Sequence, residues 1–124
     1  MKIEFTIPLT KNLIVSEGNR SWEHWSKKSK RHKSQHFLIE CFMNQQPDVI
    51  LPCLITLTRI APRMLDEDDN LPYSFKWYKD ALADYIIPGK ASGRADDDKR
   101  LHWRYKQEKG KVREYALKVE IENG

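Results

Sequence analysis

The sequence predicts an α/β (α+β) fold: one domain over residues 1–124, element order β-α-β-α-β-β, with a mixed sheet and a C-terminal antiparallel hairpin. Two observations carry this prediction. Segments of alternating hydrophobicity lie near the N-terminus, in the middle and near the C-terminus, and two stretches with helical patterns separate them. A chain of 124 residues that is 40% hydrophobic, with four Trp, five Tyr and four Phe, is large enough to fill one core.

The first half of the chain predicts a strand, a long helix and a second strand. Ile3, Phe5 and Ile7 alternate with polar residues until Pro8 ends the strand. From about Ser21, a candidate helix cap, to Asn44 there is no Pro or Gly. An apolar stripe near the end of this helix consists of Phe37, Leu38, Cys41 and Phe42. The β-branched segment from Val49 to Ile60, closed by Ala61-Pro62, predicts the second strand.

The second half predicts another helix and two strands. Asn70 followed by Pro72 is typical of a helix start, and one apolar face is formed by Leu71, Phe75, Tyr78, Leu82 and Ile86. Two alternating segments then flank Lys109-Gly110-Lys111, which predicts the hairpin. Their apolar positions are Leu101, Trp103 and Tyr105, then Tyr115, Leu117, Val119 and Ile121.

Two clusters of carboxylates carry the strongest chemical signal. They are Asp66-Glu67-Asp68-Asp69 and Asp96-Asp97-Asp98. Because clustered like charges repel one another, each cluster favours a neutralising partner, and Mg²⁺ (or Mn²⁺) prefers such oxygen ligands together with water and substrate phosphate. On its own each cluster is more typical of a helix cap or a solvated turn, but the pair within a basic chain favours a metal site.

Lys76 is the candidate catalytic cation beside the first cluster. It lies seven residues after Asp69, close to two helical turns, so a continuous helix would place both on one angular face. Helical side chains lean toward the N-terminus, which would bring the ammonium group back toward the carboxylates. There it would hold a scissile phosphate or stabilise developing charge.

The formal net charge is +4, and the basic residues concentrate on both sides of the acidic clusters. Residues 20–36 carry six Lys and Arg against one acid, and residues 99–113 carry seven against one. This distribution predicts a protein that contacts nucleic-acid phosphates. The candidate DNA-binding residues are Lys27, Lys28, Lys30, Arg31, Lys33, Arg100 and Arg104. Trp22 and Trp25 are predicted to be half-buried packing residues, with base stacking as the alternative.

Several other classes of site are disfavoured. A calcium EF-hand is excluded because Leu71 and Trp77 occupy the positions where that loop needs Gly and Glu. His32, His36 and Cys41 lack a fourth ligand with zinc spacing. No Gly-rich phosphate loop is present, so no small-molecule cofactor is expected. The two cysteines, the absence of a secretion signal and the absence of a run of roughly 18 apolar residues predict no membrane association and a cytoplasmic location.

The run Leu65-Asp66-Glu67-Asp68-Asp69-Asn70-Leu71, followed by Lys76, Asp80-Ala81-Leu82 and a later Asp pair, resembles the RusA-type Holliday-junction resolvases of phages and prophages. The resemblance covers nearly the whole chain in element order. It implies a small homodimer, in a bacterial or phage-infected cell, that acts in DNA recombination and repair. It further implies Mg²⁺-dependent cleavage of two opposed strands of a four-way DNA junction.

The resemblance also implies site residues. Asp69 matches the aspartate of the Asp-Asn element, Glu67 matches the acid two residues before it, and the later aspartate falls on Asp97 or Asp96. The predicted catalytic set is therefore Asp69, Glu67, Asp97 and Lys76, and the metal ligands come from Asp69, Glu67, Asp68, Asp97 and Asp96. Lys76 departs from the family spacing, as if three residues were inserted after Asn70-Leu71.

Two alternatives remain open at the level of sequence. The first is a non-catalytic prophage DNA-binding protein whose acids only cap helices and contact solvent. The second is a metal nuclease that acts on other branched DNA, such as flaps, or on single strands.

Overall fold

A computed structural model describes residues 1–15, 24–67, 70–90 and 94–123. The elements are β1 (Lys2–Pro8), α1 (Trp25–Met43), β2 (Cys53–Ala61), α2 (Asn70–Ser74), α3 (Lys76–Ile86), β3 (Leu101–Lys109) and β4 (Ala116–Glu122). Within the described ranges, short 3₁₀ turns cover Lys11–Leu13 and Ala95–Asp97. The predicted α+β class and the mixed sheet are confirmed.

The four strands form one sheet in the order β1-β4-β2-β3. β2 pairs with β3 in parallel and with β4 antiparallel, and β1 pairs antiparallel with β4. The predicted C-terminal hairpin is therefore wrong, because β2 lies between β3 and β4. The physical reason is burial: β2 and most of β4 are buried, whereas alternate residues of β3 are exposed polar side chains suited to a sheet edge.

The helices pack on one face of the sheet, and the core lies between the two layers. A transverse row of that face consists of Phe5, Val119, Leu57 and Tyr105, one residue from each strand. Helix aromatic rings stack on both ends of the row. The ring centroids are 5.6 Å apart for Phe42 and Phe5, and 5.4 Å apart for Phe75 and Tyr105.

Helix α1 begins at Trp25, with the His24 ring as its N-cap, where Nδ1 accepts a hydrogen bond from the Ser26 amide at 3.2 Å. The predicted cap, Ser21, and Trp22 lie outside the described residues. The apolar stripe differs from the prediction, because Phe37 is 64% exposed. Leu38 and Phe42 pack against the core as predicted, and the fully buried positions of α1 are Arg31, Gln35, Ile39 and Met43. Gln35 is among them because its amide donates to the Leu13 carbonyl at 3.1 Å.

The predicted single helix after Asn70 is two helices, α2 and α3, separated at Phe75. The Ser74 hydroxyl donates to the Leu71 carbonyl at 2.7 Å and so competes with helical backbone bonding. The Phe75 amide bonds to the Pro72 carbonyl at 3.1 Å, which is a turn pattern three residues long. Phe75 itself is fully buried, so the break serves to insert its ring into the core.

Helices α1 and α3 lie side by side and run in the same direction. The His32 and Trp77 rings stack at 3.8 Å near the start of α3, and the Tyr85 hydroxyl donates to the Asn44 side chain at 2.7 Å near its end.

Strand β2 begins at Cys53, later than the predicted Val49, because Pro52 has no N–H to donate to a neighbouring strand. Among the described helices, none is both long and apolar enough to span a membrane.

Candidate functional site

The 3₁₀ turn Ala95–Asp97 brings the second acidic cluster against α3. Asp96 is 19% exposed, and its Oδ2 lies 4.0 Å from Nζ of Lys79. The Trp103 indole N–H donates to the Asp96 backbone carbonyl at 3.2 Å and so anchors the turn to β3. The other carboxylate oxygen of Asp96, Oδ1, is buried without a hydrogen-bond partner among the described residues. This oxygen is available to a cation or a donor.

Asp80 on α3 lies near this carboxylate. Its pKa is raised, first because partial burial disfavours the ionised form and second because of the negative charge on Asp96. Lys76 opposes this effect, and Asp84, one turn further along α3, reinforces it. The structure thus brings together two acids, Asp80 and Asp96, that were not predicted to act as a pair.

The three residues of the second cluster have different surroundings. Asp97 is exposed to solvent. Asp98 accepts two hydrogen bonds from the Arg100 guanidinium, both at 3.0 Å, and one from Lys90 at 2.9 Å. These hydrogen bonds, those from Arg100 first, hold the pKa of Asp98 well below its usual range. Within the described structure, Asp96 is therefore the residue of this cluster that faces α3.

The first acidic cluster is described only in part, because Asp68 and Asp69 lie outside the described residues. Asp66 caps α2: its carboxylate accepts hydrogen bonds from the Asn70 amide at 3.3 Å and from the Asn70 side chain. Its carbonyl also accepts the Leu71 amide at 2.9 Å. The predicted helix start at Asn70 is confirmed, because Asn70 is the first residue of α2. A backbone capping role thus accounts for Asp66.

Glu67 is the other described acid of the first cluster. It lines an open groove along the second half of β3 together with Leu71 and Tyr105. No hydrogen bond or ion pair within the described residues joins Glu67 to Asp96 or to Lys76. The prediction that Glu67 binds the same metal ion as the second cluster therefore stays a prediction. Asp68 and Asp69, the other acids of its cluster, lie outside the described residues.

The continuous helix assumed for Lys76 is wrong, because the break at Phe75 separates α2 from α3. Asp69 lies outside the described residues, so the predicted approach of Lys76 to it stays a prediction. The Lys76 ammonium lies over the rings of Trp77 at 4.9 Å and Tyr73 at 5.9 Å. The side chain is exposed and lines a groove between α1 and α3 of about 490 Å³. This groove is lined by His32, Lys33, His36, Lys76, Trp77, Asp80 and Asp84.

Lys79 is the cation that the sequence analysis missed. Its ammonium lies 5.3 Å from the centroid of the Trp103 ring and 5.9 Å from that of Tyr105, beside Asp96. Lys76, Asp80 and Asp84 follow one another at intervals of four residues, which is the signal that would have predicted a charged face on α3. Nothing in the local sequence indicates that Lys79 reaches the second cluster, because that contact depends on the tertiary fold.

The predicted DNA-binding residues fall on different surfaces. Lys27, Lys30 and Lys33 are exposed on α1, and Lys28 is partly exposed. Arg31 is only 2% exposed, so it does not lie on the surface that a phosphate contact requires. Arg104 points to the open face of the sheet, opposite the helices, and Arg100 is engaged by Asp98. Three lysines of α1 thus form the basic surface nearest the groove.

The donor set fits Mg²⁺ as part of a coordination shell. Mg²⁺ is usually held by one or two carboxylates, with water and phosphate as further ligands. Asp96 offers an unpartnered buried oxygen, and a divalent cation would relieve its repulsion with Asp80. Across residues 1–15, 24–67, 70–90 and 94–123, no group of three or more His, Cys, Asp or Glu side chains is placed to hold a metal. Asp68 and Asp69 are the remaining candidates for such a group.

Comparisons with known proteins do not identify the chain. No protein-family model matches it, and no curated protein is significantly similar to it.

The raised pKa of Asp80 predicts that this residue makes the folded state less stable at high pH than at low pH. Because its pKa is raised in the folded protein, the folded state binds the proton more tightly than the unfolded state, so this residue destabilises the fold above its folded pKa. Asp80→Asn should therefore raise the melting temperature at pH 8 in chelator. The gain should disappear as the pH falls toward about 4, the range in which an unfolded Asp is also protonated. Melting curves across this range, with the exposed Asp97→Asn as control, check the prediction; a gain independent of pH would contradict it.

Proposed function

We propose that this protein is a divalent-metal-dependent endonuclease that acts on branched DNA, of the RusA type that its sequence resembles. The observation that carries the proposal is the approach of Asp96 to Asp80 and Lys79 across the interface between the 95–97 turn and α3. Asp96 and Asp80 are 16 residues apart in the chain, and their meeting gives a carboxylate pair with a cation beside it. Carboxylate pairs flanked by lysines are suited to metal-assisted phosphodiester hydrolysis.

Each side chain has a separate role in the proposed mechanism. Asp96 and Asp80, together with Asp69 of the first cluster, would hold Mg²⁺ or Mn²⁺. When bound, the cation lowers the pKa of a water molecule and stabilises negative charge on the phosphodiester. Lys79 lies beside Asp96, 4.0 Å from its Oδ2, where its ammonium would orient the carboxylate. Lys76 projects from the same helix into the groove, where its ammonium can contact a phosphate oxygen.

The α1 lysines would position the DNA backbone. We expect the triple variant Lys27→Gln, Lys30→Gln, Lys33→Gln to weaken binding to junctions of any sequence, because phosphate contacts carry no base information. Each lost contact lowers the slope of log affinity against log salt by about 0.9, so losing two or three should lower it by roughly 2 to 3. Titrations at several salt concentrations in chelator measure the slope.

The matched control removes the same number of positive charges from the open face and edge of the sheet, at Arg104, Lys106 and Lys109. If only this second triple variant lowers the slope, DNA lies on the sheet and the assignment to α1 is wrong. Cleavage at saturating protein should survive in the α1 variant, because its changes leave the acids intact.

The homodimer and the cytoplasmic location belong to the same proposal. Two active sites are required to cut two opposed strands together, which supports a dimer. The free thiols of Cys41 and Cys53 fit a reducing compartment. Light scattering at several protein concentrations tests the dimer.

A panel of substrates separates the proposal from its rivals. Labelled four-way junction, flap, single strand and linear duplex are incubated with Mg²⁺, Mn²⁺ or chelator. Metal-dependent cutting confined to the junction supports the proposal. Cutting mainly of flaps or single strands supports a nuclease of different specificity, and tight binding without cutting in either metal supports a non-catalytic DNA-binding protein.

A further inference from the structure

The indole of Trp25 is 73% exposed at the first residue of α1. This differs from the half-buried packing role that the sequence predicted for it. Single exposed apolar side chains are common, so exposure by itself assigns no function. The position is nevertheless well defined: His24 caps the helix immediately before it, and the His24 and Trp25 rings lie 5.5 Å apart. Trp25 is thus an exposed aromatic plane on a capped, regular helix.

Among the described residues, the chain around Trp25 is basic. From His24 to Ile39 it contains no acidic residue, whereas Glu23, which precedes this stretch, lies outside the described residues; the exposed lysines Lys27 and Lys30 follow within two turns. A large aromatic plane beside exposed cations is complementary to a partner with both negative charge and flat π-faces. Single-stranded or unstacked nucleic acid has both features, whereas an apolar protein surface would have to desolvate the lysines.

Trp25 also lies at the end of the molecule where the proposed site begins. Helices α1 and α3 run in the same direction, and His32 stacks on Trp77 at the first turn of α3. Trp25 precedes His32 by seven residues, so it lies about 10 Å further along the helix axis, beyond the N-terminus of α3. Lys76 and the exposed ring of Tyr73 lie at that same end.

We propose that Trp25 stacks on an unpaired nucleobase of branched DNA while the neighbouring α1 lysines hold its backbone. The inference rests on the proposed function in requiring a DNA substrate, but it does not require cleavage. It makes Trp25 a specificity-determining residue: the stacked interior of a duplex contacts the lysines alone, and only DNA with an accessible base face gains the stacking contact.

The test measures binding in chelator to a single strand, a linear duplex and a four-way junction with 2-aminopurine beside the branch point. Trp25→Ala should weaken single-strand and junction binding about 10-fold, because alanine substitution at a stacking residue removes the contact between base and aromatic ring. Duplex binding should be unchanged. Wild-type protein should change the 2-aminopurine fluorescence, and Trp25→Ala should not.

Two further variants serve as controls. Trp25→Phe keeps an aromatic plane and should restore binding to within about threefold of wild type. Phe37→Ala removes a similarly exposed ring further along α1 and should change nothing. Circular dichroism and a melting curve establish that each variant is folded.

Equal single-strand and junction affinity for wild type and Trp25→Ala would overturn the inference while leaving the proposed function intact. If Trp25→Ala no longer dimerised, while its remaining dimers bound DNA with wild-type affinity, the indole would belong to a protein–protein contact. That result would also overturn the inference. Wild-type protein that binds but never cuts would contradict the proposed nuclease alone, and wild-type protein that binds no DNA would overturn both.

Discussion

Asp96→Asn should reduce the rate of metal-dependent cleavage of branched DNA by at least about 100-fold. The substitution removes one negative charge from the carboxylate that faces Asp80 and has a buried, unpartnered oxygen. A metal that stabilises a phosphoryl transition state contributes several kcal/mol, and each 1.36 kcal/mol corresponds to tenfold in rate. DNA binding in chelator should be nearly unchanged, since the proposed phosphate contacts are made by the lysines of α1. Single-turnover cleavage and binding titrations measure the two effects separately.

The neighbouring aspartates provide the controls. Asp97→Asn should cut within about threefold of wild type, because Asp97 faces solvent. Any loss of cleavage in Asp98→Asn should come from a change in the conformation of the turn, because the Asp98 carboxylate forms ion pairs with Arg100 and Lys90. Full activity in Asp96→Asn together with inactivity in Asp97→Asn would move the site to Asp97, the other position that the resemblance allows.

Phe75→Ala should have the largest effect on stability, about 3 to 5 kcal/mol. Phe75 is fully buried at the junction of α2 and α3, and its ring stacks on Tyr105 of β3. Its removal leaves a cavity beside the ring of Tyr105, over which Lys79 lies. Urea unfolding, with the free energy of unfolding extrapolated to water, measures the loss.

Tyr73→Ala is the matched control, two residues earlier in the same segment. Tyr73 is 45% exposed, so its removal should change stability by about 0.5 kcal/mol or less. Equal losses for the two variants would show that Phe75 does not have the structural role assigned to it.

The sequence predicted the elements better than their arrangement. Each strand follows an alternation that can be read locally, such as Ile3, Phe5 and Ile7, and these strands are confirmed. The pairing of strands is not local: a turn at Gly110 correctly indicated a reversal of direction, but the more apolar β2 took the place beside β4. Burial on both faces decided this order, and burial is a property of the whole sheet.

The acidic clusters of the candidate site can be read from the sequence, but not which of their residues contacts α3. The cation that these runs of Asp indicate stays a prediction. Which Asp faces the core depends on how a 3₁₀ turn is anchored, here by the Trp103 indole on the Asp96 carbonyl. Arg31 looked like one more exposed cation of α1, yet the rotation of the helix buries it. Such rotations follow from packing against the sheet, which the helix sequence alone does not specify.

Mapping of nicks in a four-way junction, labelled on each strand in turn, tests the central claim most directly. With Mg²⁺, wild-type protein should place symmetrically related nicks in two opposed strands, and chelator should abolish them. Asp69→Asn and Asp96→Asn proteins should bind the same junction without cutting it. Junction cleavage that persists in chelator, or that both variants retain at the wild-type rate, would contradict the account.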